Sequence, residues 1–329
     1  MTSILVVGAG AVGTRAARQL VDTETVDRVL LADRDVTKLA EVADALGDAA
    51  QAIDFQPGDP IPAGCDAIAT ALPAGVDHAV VSAAIAARVP VASSDDERDS
   101  LDQLRALDPN ARAAEVTVAV ACGLSPGLAD VLVRHASASF EKVEEIRVAR
   151  TGWAGPASVE TVRHERRMPV HKWHEGRWRE DHPHGDILVW FPEPIGGRDC
   201  RPVTGGTALL IDAFPSVPRV SVQLGEPPKR GRFRRQFGDE GEWGATRVDV
   251  WGRRDGIVDC LVYGVVERTA VAAGTVLAVT TARLAGSLTP PIDRPGVHGL
   301  GALIEPVPFL AELAQRGVRA ATFEGVAVA

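Results

Sequence analysis

Gly8, Gly10 and Gly13 punctuate the stretch Val7-Gly8-Ala9-Gly10-Ala11-Val12-Gly13, and Asp33 follows twenty residues after the last of them. At this spacing the first glycine allows a tight turn out of a strand and the second lets the backbone approach a ligand. The third lets a helix pack closely on a sheet. A phosphate brought to such a turn meets the free N–H groups at the start of a helix. A carboxylate at the distance of Asp33 accepts hydrogen bonds from a ribose, so turn and acid together describe a dinucleotide site. Gly8, Gly10, Ala11, Val12 and Gly13 would then hold the phosphates. Asp33 favours the 2′-hydroxyl of NAD because it would repel a 2′-phosphate, while Arg34 beside it could meet the extra phosphate of NADP. The expected cofactor is NAD or NADP, leaning to NAD.

A second group of reactive types lies in the middle of the chain. Arg163-His164-Glu165-Arg166-Arg167 is followed by His171, Trp173, His174, Trp178, Asp181, His182, His184 and Asp186. Hydride transfer to an imine or ketone calls for a cation to hold a substrate carboxylate and often for a proton donor. The bidentate fork of arginine suits the first role and histidine the second. His171 is therefore the candidate acid/base, with Arg163 and Arg167 as candidate carboxylate clamps; a solvated polar hairpin is the plainer account of the same residues. Cys122, at the end of an apolar strand, is either a reactive thiol or ordinary packing. The two histidine pairs lack the usual zinc spacings, and no metal is expected. The basic run 229–235 is expected to be a solvated loop, or else a dock for an acidic partner such as a carrier protein.

Strand and helix alternate through the first 121 residues: strands at 3–7, 28–32, 51–55, 65–70, 89–92 and 116–121, helices between them. Short connections in such a series call for a parallel sheet with helices on both faces, a Rossmann-type doubly wound α/β fold. Ligands of these sheets bind beyond the C-terminal strand ends. That rule marks the loops 70–73, 93–96 and 122–127, with Thr70, Ala71 and Leu72 on the nicotinamide side. After about residue 143 strands dominate, at 145–151, 207–211, 219–224, 246–252 and 257–266. One long helix, 269–284, interrupts them, which describes an α+β domain with a mainly antiparallel sheet. The expected division is a dinucleotide-binding domain over 1–126, a substrate and dimerisation domain over 127–290, and a tail over 291–329 that packs back on both.

The segment Cys122-Gly123-Leu124-Ser125-Pro126-Gly127-Leu128-Ala129 resembles the G-x-x-P-G-L segment of the saccharopine dehydrogenase/reductase-like family. So do the opening glycine turn, the Thr70-Ala71-Leu72-Pro73 loop and the tail Pro308-Phe309-Leu310 with Arg316-Gly317-Val318. The resemblance implies an NAD(P)-dependent oxidoreductase acting on C–N bonds, with a small amino-acid-like substrate. It departs from the family pattern at Ser125, where an aspartate is usual, and at Ala92-Ser93-Ser94-Asp95, where an aromatic and an acid are usual. Both departures fall where substrate would be held and point away from saccharopine itself. Two alternatives stay open: an enoyl reductase working on carrier-bound acyl chains, and a dinucleotide-binding sensor or partner protein without catalysis.

Bulk properties narrow the classes further. A formal net charge of −9 argues against general nucleic-acid binding. The four cysteines are widely spaced with no C-x-x-C pair, which fits a reducing compartment. The uncharged stretch 269–282 is too short to cross a bilayer and reads as a buried helix. The N-terminus enters an apolar strand almost at once, so the expected location is the cytoplasm, with a homodimer through the second sheet as the expected assembly.

Overall fold

The computed structural model describes residues 1–182, 185–226 and 240–322; His184 and the basic run 229–235 lie outside them. β1 (Ser3–Val7) is buried along its whole length, as a strand covered on both faces must be. Around it lie β2 (Arg28–Ala32), β3 (Ala50–Ala52), β4 (Ala67–Thr70), β5 (Val91–Ser93) and β6 (Thr117–Val120). They are connected by α1 (Ala11–Val21), α2 (Val36–Leu46), α3 (Asp77–Ala87), α4 (Arg98–Arg105) and α5 (Asp108–Ala113). A late strand, β15 (Gly296–Gly299), adds to β6. The order is β15-β6-β5-β4-β1-β2-β3, all parallel. Strand order reverses between β1 and β4, which is where such a sheet opens a crevice for ligand.

The second sheet is mixed. β7 (Lys142–Thr151) pairs in parallel with β12 (Arg219–Gly225) and antiparallel with β13 (Trp243–Arg254). β13 forms a hairpin with β14 (Ile257–Arg268). Asp255 and Gly256 turn it, with φ of 52° and 76°, the left-handed pair that a right-twisted hairpin needs. β10 (Ile187–Trp190) and β11 (Gly197–Val203) extend one edge and β16 (Ala320–Thr322) the other. The hairpin of β8 (Val170–His174) and β9 (Arg177–Asp181) attaches to β12.

Two helices join the sheets. α6 (Leu128–Ser137) packs on β7, β13 and β14, and α9 (Thr269–Leu284) packs on α1, β4 and β5. One apolar cluster runs through Ile4, Leu20, Leu132, Val148, Val250 and Leu277 and so spans both sheets. α9 is the buried helix expected from its uncharged run; no helix among the described residues is long and apolar enough to cross a membrane. Gly274 makes its contact with α1 possible: a Cβ there would stand 2.5 Å from Arg15 Cβ and 2.8 Å from Val12 O. β15 and β16 carry the tail into both sheets, with α10 (Leu300–Leu303) and α11 (Pro306–Gln315) between them.

Two local expectations are corrected. Residues 207–211 are not a strand but the start of α8 (Thr207–Ala213); an apolar run of that length does not reveal its period. α7 (Pro156–Glu165) was unforeseen, although Pro156 suits its first position and Val159 and Val162 are buried along one face.

Candidate functional site

The glycine turn leaves β1 and enters α1. Gly8 has φ of 102°, and a Cβ on it would lie 2.4 Å from the carbonyl oxygen of Ala71. A Cβ on Gly13 would lie 1.8 Å from the oxygen of Gly8. A Cβ on Gly10 would meet no protein atom within 4 Å. Two glycines are thus required by protein packing, while the third leaves bare backbone facing open space. No side chain caps α1 and its first turn holds no acid, so its leading N–H groups are free for an anion. Ala11 and Val12 begin this helix, half-buried. These residues fit a dinucleotide pyrophosphate.

Asp33, half-buried at the end of β2, accepts the Ala9 N–H at 2.6 Å and the Asp35 N–H at 2.9 Å. It therefore fixes the turn from behind. Arg34 beside it is exposed.

The three loops singled out at the strand ends are tied to one another by a cluster that sequence reasoning missed. Asp77, fully buried at the start of α3, accepts the hydroxyl of Thr70 at 2.5 Å and that of Ser93, both on Oδ2. Burial and the neighbouring Asp95 push its carboxyl up to about 7. Asp95 is itself turned inward: it accepts the Ser100 hydroxyl, the Gly75 N–H at 3.2 Å and the Glu97 N–H at 3.1 Å, and burial raises its pKa. Asp96 pairs with Arg150 of β7 at 2.8 Å, across the two sheets. The Cys122 N–H donates to Ser93 O at 2.8 Å. Cys122 is wholly buried, and that burial drives its thiol pKa far up, the opposite of what a reactive thiolate needs. In the following segment Gly127, with φ of 116°, lies so close to Gly123 and Ala121 that a Cβ would fall 2.4 Å and 2.6 Å from their oxygens. Asp130 in the first turn of α6 accepts the Gly127 N–H, and burial pushes it to about 7.

The middle segment divides. His171 on β8 lines a cavity of about 320 Å³ together with Arg98, Arg105, Trp178, Thr204 and Gly205. Its N–H donates to Thr204 Oγ1 at 2.7 Å, and its ring Nδ1 is buried without a hydrogen-bond partner. Arg163 and Arg167 are not in this lining. Arg163 is buried and pairs with Glu160 at 2.6 Å, and Arg167 is exposed. Arg98 and Arg105 were not singled out from sequence, since they sit on an otherwise ordinary charged helix face. Among the described residues, His171, His174 and His182 form no metal-ligating group; Glu97, Asp99 and His164 do bring ligand atoms within 4.8 Å of one another.

Residues 4–119 match the family described as the saccharopine dehydrogenase NADP binding domain. Of the solved structures, saccharopine dehydrogenase (L-Glu forming) from Saccharomyces cerevisiae aligns over 98% of this chain and 100% of its own, at 14% identity and a TM-score of 0.72. Amine dehydrogenase from Mycobacterium smegmatis aligns over 92% and 96%, at 12% identity and a TM-score of 0.55. GenD2 from gentamicin A biosynthesis, solved with NAD, aligns over 98% and 97%, at 12% identity and a TM-score of 0.51. At these identities the structures speak for the fold. Over residues 4–119 the chain is similar to the saccharopine dehydrogenase NADP binding domain family, and this match supports an NAD(P)-dependent oxidoreductase.

Proposed function

We propose that the chain transfers hydride to or from a C=N or C=O bond of a small amino-acid-like substrate, with NAD preferred to NADP. The observation that carries the reading is the bare turn at Gly10, open to solvent while Gly8 and Gly13 are closed by packing. The half-buried carboxylate of Asp33 supports NAD, because a 2′-phosphate there would face a negative charge. When bound, the nicotinamide supplies or accepts the hydride.

The cavity between α4, α8 and the β8–β9 hairpin is the proposed substrate site. A Cβ on Gly206 at its wall would lie 3.6 Å from Pro126 of the loop after β6, at a strand end beyond which such folds bind ligand. Arg98 takes the clamp role in place of Arg163 and Arg167, since a carboxylate in this cavity would meet its guanidinium. His171 moves the proton, Trp178 excludes water, and Thr204 holds the backbone of His171 in place. A second copy of the chain is proposed at the second sheet, where Trp243 and Trp251 stand exposed on one face of β13.

Fluorescence titration with NADH and, separately, NADPH tests the reading, followed by turnover with imine, keto-acid and enoyl substrates. Tighter binding of NADH and turnover of an imine or keto acid is the expected result. Turnover confined to enoyl substrates would make the chain an enoyl reductase. Binding without any turnover would make it a nucleotide sensor, and saturable binding of neither nucleotide would overturn the proposal.

A further inference from the structure

Asp77 has no evident structural need for its charge. It is wholly buried, Oδ2 takes both hydroxyls, and Oδ1 has no hydrogen-bond partner. A carboxylate in that position is costly to retain. Its place in the first turn of α3 offsets part of that cost through the helix dipole, yet its side chain does not cap the helix.

The hydroxyls it orients belong to two loops that border the site. Ser93 Oγ accepts the Asp95 N–H at 3.1 Å, which leaves its proton for Asp77. The Ser94 N–H donates to Thr70 O at 3.0 Å, and the Cys122 N–H to Ser93 O at 2.8 Å. Directly after Thr70 comes Ala71, whose N–H donates to Val7 O at 2.9 Å and whose oxygen closes on Gly8. From Asp77 a continuous line of short contacts thus reaches the phosphate turn on one side and the loop after β6 on the other. There is no slack in it: at Gly8 and Gly13 the loops already touch with no room for a methyl group.

We propose that Asp77 is a positioning residue that, through Thr70 and Ser93, sets the seat of the nicotinamide against the phosphate turn. It touches neither cofactor nor substrate. The inference rests on the dinucleotide reading above and adds to it the residue that holds the site's three loops in register.

The test uses two replacements at Thr70, with Asp77→Asn alongside. Thr70→Val removes the hydroxyl and keeps the volume; Thr70→Ser keeps the hydroxyl. NADH affinity is read by fluorescence titration and folding by thermal melting. A buried hydrogen bond whose acceptor is left without its donor governs enough energy for Thr70→Val to weaken NADH binding by about tenfold, with Thr70→Ser restoring most of it. Asp77→Asn should behave like Thr70→Val. If Asp77→Asn does not fold, the Thr70 pair still decides. Equal NADH affinity for Thr70→Val and Thr70→Ser would overturn the proposal while leaving the cofactor reading intact. Affinity losses that merely follow melting temperature would overturn it likewise. A wild-type protein that binds neither nucleotide would remove the cofactor reading itself, and this inference with it.

Discussion

Alanine at Gly10 and alanine at Gly13 are the same chemical change with opposite expected consequences. At Gly10 the new Cβ enters open space and φ is −70°, a value any residue adopts. Gly10→Ala should therefore melt within about 2 °C of the wild type while losing about tenfold or more in NADH affinity, because the methyl group occupies the phosphate's approach. At Gly13 the methyl group would collide with the Gly8 carbonyl at 1.8 Å, so Gly13→Ala should lower melting temperature and affinity together. Equal melting for both variants would contradict this account of the turn. His171 offers a second residue-scale prediction. His171→Asn should reduce kcat by about 10²–10⁴-fold. Arg98→Ala should instead act mainly on KM. Steady-state kinetics separates the two.

Helix α9 shows what elements add. Glycine inside a helix usually costs about 1 kcal/mol relative to alanine, so Gly274→Ala would be stabilising on propensity alone. Here the new Cβ would press on Arg15 Cβ at 2.5 Å and on Val12 O, and overpacking costs about 1–3 kcal/mol. Because α1 carries the phosphate turn, thermal melting should show a lower stability for Gly274→Ala and titration a weaker NADH affinity; an unchanged or raised melting temperature would show that the helices have room. The helix itself was plain in the sequence, since a long uncharged run between Arg268 and Arg283 has few other places to go. The alternating strands and helices of the first sheet were equally plain, as was the glycine turn, whose spacing is a geometric requirement. The partner of α9 was not legible, because a run apolar all round does not say which neighbour it meets. Nor was the role of Asp77, which looks like any surface acid at a helix start until Thr70 and Ser93 are brought to it by β4 and β5. Arg98 became visible as a candidate only when α4 was set against the β8–β9 hairpin, a contact between segments far apart in the chain.

At the scale of the whole molecule, buried acids give stability a direction with pH. Burial pushes both Asp77 and Asp130 up to about 7, against about 4 for an aspartate in an unfolded chain. Between those values the folded state holds more protons than the unfolded one. The contribution of these groups is thus complete below about pH 4 and is lost progressively as pH rises to 7. Thermal melts at pH 5 and pH 8 should show a larger drop for the wild type than for Asp77→Asn, and identical drops would argue that Asp77 is not held neutral. The return of α9 and β15 to the first sheet has a consequence for how the chain is made. On the ribosome, β1 and α1 emerge early, but the helix that covers α1 and β4 comes only after every strand of the second sheet except β16 has been synthesised. The nascent cofactor-binding half must wait with an apolar surface uncovered, so a chain released at residue 126 should be prone to aggregate or to be captured by chaperones, and a pause in translation before residue 269 would lengthen that exposure.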